Sequence, residues 1–223
     1  LVNEGMEQEE ALYKVLKETI IASRNIRFEG DGYSEEWREE AARRGLTNIC
    51  HVPEALMKFN SPQSRNVLIG EKIFNENELN CRIEVELEKY TKKVQIESRI
   101  IGDLAINHIV PTAVTYQNRL LENLRGLRET FTPEEYEILG ADRKELVKEI
   151  QLHILAIKRL VNEMTEARKV ANHLGSQVEK AFSYEENVSP YLAKIREHID
   201  ELEMEIDDEI WPLPKYRELL FTK

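Results

Sequence analysis

Apolar residues recur at helical spacing through residues 79–125, near the centre of the chain. The first part of this period is carried by Leu79, Ile83, Leu87, Tyr90, Val94, Ile101 and Leu104. The spacing predicts one long helix, with Asn75 as its N-terminal cap. Pro111 lacks a backbone N–H and crowds the carbonyl four residues earlier, which predicts a kink near Asn107. Beyond the kink, the pattern predicts that the helix resumes to about Glu129.

A second apolar seam runs through residues 142–182, in alternating steps of four and three. It consists of Leu146, Ile150, His153, Ile157, Leu160, Met164, Ala167, Ala171, Leu174, Val178 and Ala181. A seam this long predicts one continuous helix with coiled-coil-like packing. We expect a loop over residues 183–188 and another helix from Ser189-Pro190, ended by Pro212 and Pro214 and followed by the tail 215–223. The seam of that last helix is Leu192, Ile195, Ile199, Leu202 and Ile206.

Shorter elements are indicated by their start and stop signals. The leading segment predicts a helix over residues 5–24, a turn at 30–32, and a helix Glu35–Arg44 that Ser34 caps and Gly45 ends. The first of these helices has an apolar stripe of Leu12, Val15, Leu16, Thr19, Ile20 and Ser23. The motif Phe131-Thr-Pro-Glu-Glu-Tyr136 predicts a capped short helix that stops at Gly140. Residues 46–74 are irregular, and we favour loops there over a strand pair at 48–52 and 67–69.

These elements predict an all-α fold: an antiparallel bundle of long helices with a loop-rich leading segment. The expected division is residues 1–74, the leading helices and loops, and residues 75–223, the bundle with its proline-kinked central helix. The composition agrees, since 33% of the residues are charged and the chain has only 9 Gly and 7 Pro.

The formal charge of −11 argues against nucleic acid and an anionic membrane as partners. Cys50 and Cys81 are two lone cysteines outside any CxxC motif, which is typical of reduced thiols. No apolar run is long enough for a membrane helix, and no signal peptide is visible. We therefore expect a cytoplasmic protein. The chain also lacks an initial Met, which favours a fragment of something longer.

Candidate chemistry is sparse. His108, beside Asn107 and close to Asp103, is either an acid/base residue or part of a polar cluster that supports the proline kink, and we favour the cluster. His153, His173 and His198 lie near helical seams, and we interpret them as bundle histidines rather than metal ligands.

Two charged regions also have a structural and a functional interpretation. The acidic run 197–209 is interpreted as a solvated helix face, or a patch that meets a basic neighbour, since it lacks the glycine of a calcium loop. A basic concentration near residues 30–32 has no phosphate-binding loop beside it, and comprises Arg24, Arg27, Arg43 and Arg44. We assign no catalytic, cofactor-binding or metal-binding residue.

Several motifs together resemble the C-terminal region of the type III glutamine synthetases. They are Arg27-Phe-Glu-Gly-Asp-Gly-Tyr-Ser-Glu-Glu-Trp37, Glu40-Ala-Ala-Arg-Arg-Gly-Leu46, Gly102-Asp-Leu-Ala-Ile-Asn-His-Ile-Val-Pro-Thr-Ala113, Tyr116-Gln-Asn-Arg119 and Trp211-Pro-Leu-Pro-Lys-Tyr-Arg-Glu-Leu219. The similarity covers essentially the whole chain, and the motifs are specific as a set although each is weak alone.

The resemblance implies a parent enzyme that joins ammonia to glutamate with ATP, uses magnesium or manganese, and forms a ring-shaped homo-oligomer. The family's catalytic residues lie upstream of this region, so none is transferred to this chain. We expect a fragment that supports assembly, packs on the catalytic domain of the same polypeptide, holds no cofactor and is inactive alone. The alternative is an independent helical adaptor that binds a partner helix.

Overall fold

The computed structural model describes residues 5–221, which are helical and contain no strand. The predicted all-α class is confirmed. The helices are α1 (Gln8–Ala22), α2 (Glu35–Arg44), α3 (Val52–Lys58), α4 (Pro62–Gly70), α5 (Glu76–Leu104), α6 (Val110–Thr130), α7 (Pro133–Leu139), α8 (Ala141–His173), α9 (Gln177–Asn187), α10 (Ser189–Glu205) and α11 (Tyr216–Leu220). A 3₁₀ turn (Ser23–Ile26) follows α1, and a π-helical turn (Ala105–Ile109) separates α5 from α6.

The chain forms two compact units that divide between Cys50 and His51. The division expected from the sequence lies later, between residues 74 and 75. Residues 51–74 belong to the same compact unit as the long helices, because apolar side chains of α3 and α4 pack against the start of α5. This leaves α1 and α2 as the helices of the leading unit.

In the leading unit, α2 has the predicted bounds and caps. The Ser34 hydroxyl accepts a hydrogen bond from the Trp37 N–H at 3.3 Å, and Gly45 ends the helix with φ of 68°. Ala41 is buried, while Trp37 is half-buried and packs against Phe28 with ring centroids 4.9 Å apart and ring planes tilted by 42°. The apolar stripe of α1, by contrast, lies exposed.

The prediction of loops over residues 46–74 was wrong, because α3 and α4 form there. Each helix has a proline in its first turn, and Ser61 caps α4 through a hydrogen bond from the Ser64 N–H. The helices persist because their apolar residues share a core with α5 and α9. That core is Leu56, Met57, Leu68, Ile69, Phe74, Leu79, Ile83, Leu87, Tyr90, Val178 and Ala181.

The central helix α5 begins as predicted. Asn75 and Glu78 form a reciprocal capping box, with hydrogen bonds of 2.9 and 2.8 Å. Near Asn107, where the sequence predicts a kink, the backbone forms a π-helical turn, in which the Val110 N–H donates to the Ala105 carbonyl. The turn directly precedes Pro111, whose ring would clash with the Asn107 carbonyl in a regular α-helix.

The prediction of one continuous helix over 142–182 was wrong, as was the loop expected at 183–188. Helix α8 ends at His173, Leu174 and Ser176 are extended, and α9 then runs to Asn187. After the break, α9 contributes to both cores: Tyr184 is buried in the main core with α8, while Ala181 is buried against the start of α5. The predicted seam positions are nonetheless all buried or half-buried.

The end of the last long helix also differs from the prediction. Helix α10 ends at Glu205, before the prolines that were expected to end it, and the segment around buried Trp211 folds back to pack in the main core. Ser189 lies inside α10 rather than capping it. The seam of this helix is buried or half-buried as predicted.

The long helices pack antiparallel. Gln95 of α5 donates to Asn172 of α8 at 3.2 Å, whereas Gln117 of α6 donates to the Val147 carbonyl of α8 at 3.0 Å. From Gln95 to Gln117 the residue number increases, while that of the partner on α8 decreases from 172 to 147, so α8 runs opposite to α5 and α6. The predicted bundle of long helices is confirmed for the described residues.

Gly102 provides a test of this packing. A methyl group at Gly102 would meet Val161 and Met164 at 3.5 and 3.6 Å, which is ordinary van der Waals contact. We expect Gly102→Ala to raise the free energy of unfolding in urea by about 0.5–1 kcal/mol, because glycine in a helix interior is entropically costly. Gly45→Ala, at positive φ, should instead lower it by about 1–2 kcal/mol. A loss of stability in Gly102→Ala would contradict the described spacing.

Candidate functional site

The polar residues of the Pro111 region lie on the surface. Asn107 Nδ2 donates to Asp103 Oδ1 at 2.6 Å, and the side chains of both residues and of His108 are exposed. The carbonyl of His108 accepts a hydrogen bond from the Thr112 hydroxyl at 2.9 Å. These contacts satisfy polar groups around the π-helical turn and favour the structural interpretation of the cluster.

The arginines near residues 30–32 are largely engaged within the leading unit. Arg44 donates to the carbonyls of Asn25 and Arg27 at 3.0 and 2.9 Å. Arg43 and Arg44 both bond the Glu40 carboxylate, and these bonds lower the pKa of Glu40 to about 2. This geometry joins the chain before α2 to the end of α2, rather than presenting a free phosphate site.

The acidic run 197–209 meets several basic side chains. Lys215 Nζ donates to the Glu203 carbonyl at 2.8 Å and also pairs with the Asp208 carboxylate. Arg119 of α6 lies 3.6 Å from Asp207. Among residues 5–221, no group of three or more His, Cys, Asp or Glu side chains is placed to hold a metal ion.

His153 of α8 and His198 of α10 face each other, a pairing that their separation in sequence conceals. Their Nδ1 atoms are 3.0 Å apart, and the rings meet edge to face with centroids 5.1 Å apart. Only one of these two nitrogens can carry a proton at this distance. Burial lowers the pKa of His198, and the neighbouring His153 lowers it further.

Glu205 ends α10 beside this histidine pair. Its Oε2 atom is buried and has no hydrogen-bond partner among the described residues. Burial raises the pKa of the carboxyl group, Glu149 and Glu201 raise it too, and His153 opposes them. The negative end of the helix dipole also disfavours the ionised form. His153, His198 and Glu205 thus form a titratable cluster between α8 and α10.

A second polar cluster joins α5, α9 and the residue that precedes α3, all within the second compact unit. His51 Nδ1 lies 2.6 Å from Glu185 Oε1, and the Tyr90 hydroxyl donates to Glu185 Oε2. A carboxylate that holds Nδ1 of an imidazole can orient a general base. Here both contacts of Glu185 run between elements, linking α9 to α5 and to the residue before α3, so we interpret the trio as a structural clasp.

A third polar contact ties α5, α8 and α9 beside the buried Tyr184 ring. The Tyr184 side chain is fully buried, and its hydroxyl donates to Asn172 Oδ1 at 2.8 Å. The same oxygen accepts the bond from Gln95. Burial raises the pKa of Tyr184, so the phenol stays protonated and continues to donate.

The pocket at the start of α5 is apolar. It holds about 210 Å³ and is lined by Leu56, Phe59, Phe74, Leu79, Ile83, Arg82 and Glu86. Arg82 lies over the Phe74 ring at 4.7 Å. The volume is smaller than the roughly 300 Å³ at which small-molecule sites begin, and the lining has no acid/base pair with a nucleophile. None of the helices of residues 5–221 is long and apolar enough to cross a membrane.

Comparison with known proteins adds a family to these observations. The family model of the glutamine synthetase C-terminal domain matches residues 11–128. A glutamine synthetase from Bacteroides fragilis is 73% identical over 223 residues, which is all of this chain and 31% of that protein. A type-3 glutamine synthetase from Dictyostelium discoideum is 29% identical over 219 residues, covering 96% of this chain and 29% of that protein.

A glutamine synthetase from Butyrivibrio fibrisolvens is 28% identical over 222 residues, covering 98% of this chain and 31% of that protein. The chain therefore spans about a third of the length of the curated relatives it matches. The match begins within α1, at residue 11, and includes α2, α3, α4, α5 and most of α6.

The clasp predicts coupled losses of stability. Glu185→Gln should lower the free energy of unfolding by about 1–3 kcal/mol, because His51 and Tyr90 lose a charged acceptor. In a Tyr90→Phe background the same change should cost less, since one partner is already gone. Urea denaturation of the four proteins measures this coupling. The control is Glu186→Gln at an exposed neighbour, and equal losses at residues 185 and 186 would refute the clasp.

The cluster between α8 and α10 predicts opposite pH trends. The pKa of Glu205 is raised above its ordinary 4.5, so its contribution to stability is present below pH 4.5 and lost as pH rises. The pKa of His198 is lowered below 6.5, so its contribution is present above pH 6.5 and lost as pH falls.

Unfolding free energies between pH 4 and 8 test both signs. Relative to the unmodified chain, Glu205→Gln should gain stability as pH rises, and His198→Gln should gain as pH falls. Glu209→Gln, at an exposed residue, is the control. Parallel curves for all four proteins would show that neither group titrates with folding.

Proposed function

Because the chain belongs to the glutamine synthetase C-terminal domain family, we propose that it is the helical C-terminal module of a type III glutamine synthetase. The support is the family match over residues 11–128 together with motifs that extend from Arg27 to Leu219. The parent polypeptide would carry out the ATP-dependent ligation of ammonia to glutamate in the cytoplasm.

Within that enzyme, the module has a structural role. The observation that carries this proposal is the use of polar side chains between helices: half-buried Glu185 and His198 and exposed Asn172 each bond a side chain on another helix or segment. Contacts of this kind hold the helices in register, which is the role expected of a supporting module. The module would support the subunit and its homo-oligomeric ring.

ATP and magnesium or manganese belong to the parent reaction. The donors in residues 5–221 do not fit a divalent cation, since no three His, Cys, Asp or Glu side chains converge. In the basic concentration near residues 30–32, Arg44 already donates to the backbone carbonyls of Asn25 and Arg27. We therefore assign these ligands to the catalytic part of the parent, which would also be the module's partner.

An activity assay tests the proposal. The purified 223-residue chain, mixed with ATP, glutamate, ammonia and magnesium, should form no glutamine, whereas the full-length gene product should form it under the same conditions. Glutamine from the chain alone would refute the structural role. An open reading frame confined to these 223 residues would refute the parent enzyme and favour the helical adaptor.

A further inference from the structure

Helix α1 presents an apolar face that its own unit leaves open. Leu12, Val15, Leu16 and Ile20 follow one side of the helix, and their exposed fractions are 59, 47, 51 and 51%. Of the residues of α1, only Ala11 is buried. Within the described part of the leading unit, the 3₁₀ turn that follows is the one helical element in extensive contact with α1.

This face lacks the packing that a helix of its length requires. Helix α1 has 15 residues, and isolated helices of that size are marginal in water even with favourable sequences. Helices in proteins are held mainly by burying their apolar stripe. The stripe of α1 has the helical period of a buried face, so a partner that covers it would supply the missing stabilisation.

We propose that this face docks onto an apolar surface of the remaining part of the synthetase, within the same polypeptide. The inference rests on the proposed function. It is supported by length: the Bacteroides fragilis relative aligns with all of α1, yet the aligned region is only 31% of that protein. Roughly two thirds of such a polypeptide is tethered to α1, and tethering gives a docking surface a high effective concentration.

The charges of α1 argue against a membrane as the occupant. Amphipathic helices that lie on membranes are rich in Lys and Arg beside the apolar face. Helix α1 carries Glu9, Glu10 and Glu18 against Lys14 and Lys17, a small acidic excess. An anionic bilayer would repel this helix, whereas a protein surface can match its mixed charges.

Site-specific cross-linking in the full-length synthetase tests the docking. A photoreactive benzoylphenylalanine replaces Leu16, and a matched label replaces Lys14 on the opposite side of α1. We expect the label at 16 to cross-link to peptides outside this 223-residue region, in a product that still migrates as a single polypeptide. The label at 14 should give far less of this product.

Two outcomes would overturn the docking: cross-links from position 16 to a second subunit only, or equal yields from positions 14 and 16.

Hydrogen exchange provides a second measurement, since Leu16→Asp in the full-length enzyme should speed amide exchange in α1 about tenfold or more. Ile138→Asp, at a 78% exposed position of α7, is the control and should leave α1 unchanged. Glutamine synthesis by the full-length enzyme is measured separately, so a failed docking with active enzyme is distinct from a failed function.

Discussion

The 33 residues of α8 pack most extensively against α10 and, in antiparallel orientation, against α6, and this apolar contact forms the centre of the main core. Ile150, Ile157 and Met164 of α8 are almost fully buried and share a core with Val94, Ile109 and Ala113 on the opposite side. Helix α10 covers the same face of α8, with Ile195 and Leu202 fully buried. Because each apolar side chain is inserted between helices, a shift of one helix along another would disturb many contacts at once.

The π-helical turn before Pro111 shows how a local constraint is absorbed by this packing. A π-helical turn adds a residue to one turn, so the side chains after it are rotated relative to those before it. Ala105 and Ile109 of the turn and Val110 and Ala113 of α6 are all buried in the main core with α8, so the apolar face is kept from the turn into α6. Helix α6 makes the more extensive contact with α8, whereas α5 packs mainly against α9, α10 and α3.

Polar side chains in this module hold its helices to one another. Glu185, Asn172 and the histidine pair bridge elements far apart in the sequence, and Lys215 bonds a carbonyl in the last turn of α10. Arg44, which lies in one of the motifs that carry the family resemblance, likewise joins α2 to the preceding segment. This use of polar groups is consistent with the proposed supporting module, whose apolar α1 face would join it to the catalytic part.

The sequence by itself determined the helical class, the capped starts at Ser34, Asn75 and Thr132, the interruption before Pro111 and most of the buried positions, because these depend on local backbone chemistry and on the 3.6-residue period. It also carried the motifs of the family.

Only the tertiary structure decided the break at residues 174–176, the helices within 52–70 and the pairing of His153 with His198. The apolar period continues unchanged through Leu174, yet the chain breaks there and α9 contributes to both cores, with Tyr184 in the main core and Ala181 in the core at the start of α5. Contacts between residues distant in the chain leave no local signal, so the polar clusters and the open face of α1 became visible only when the helices were placed together.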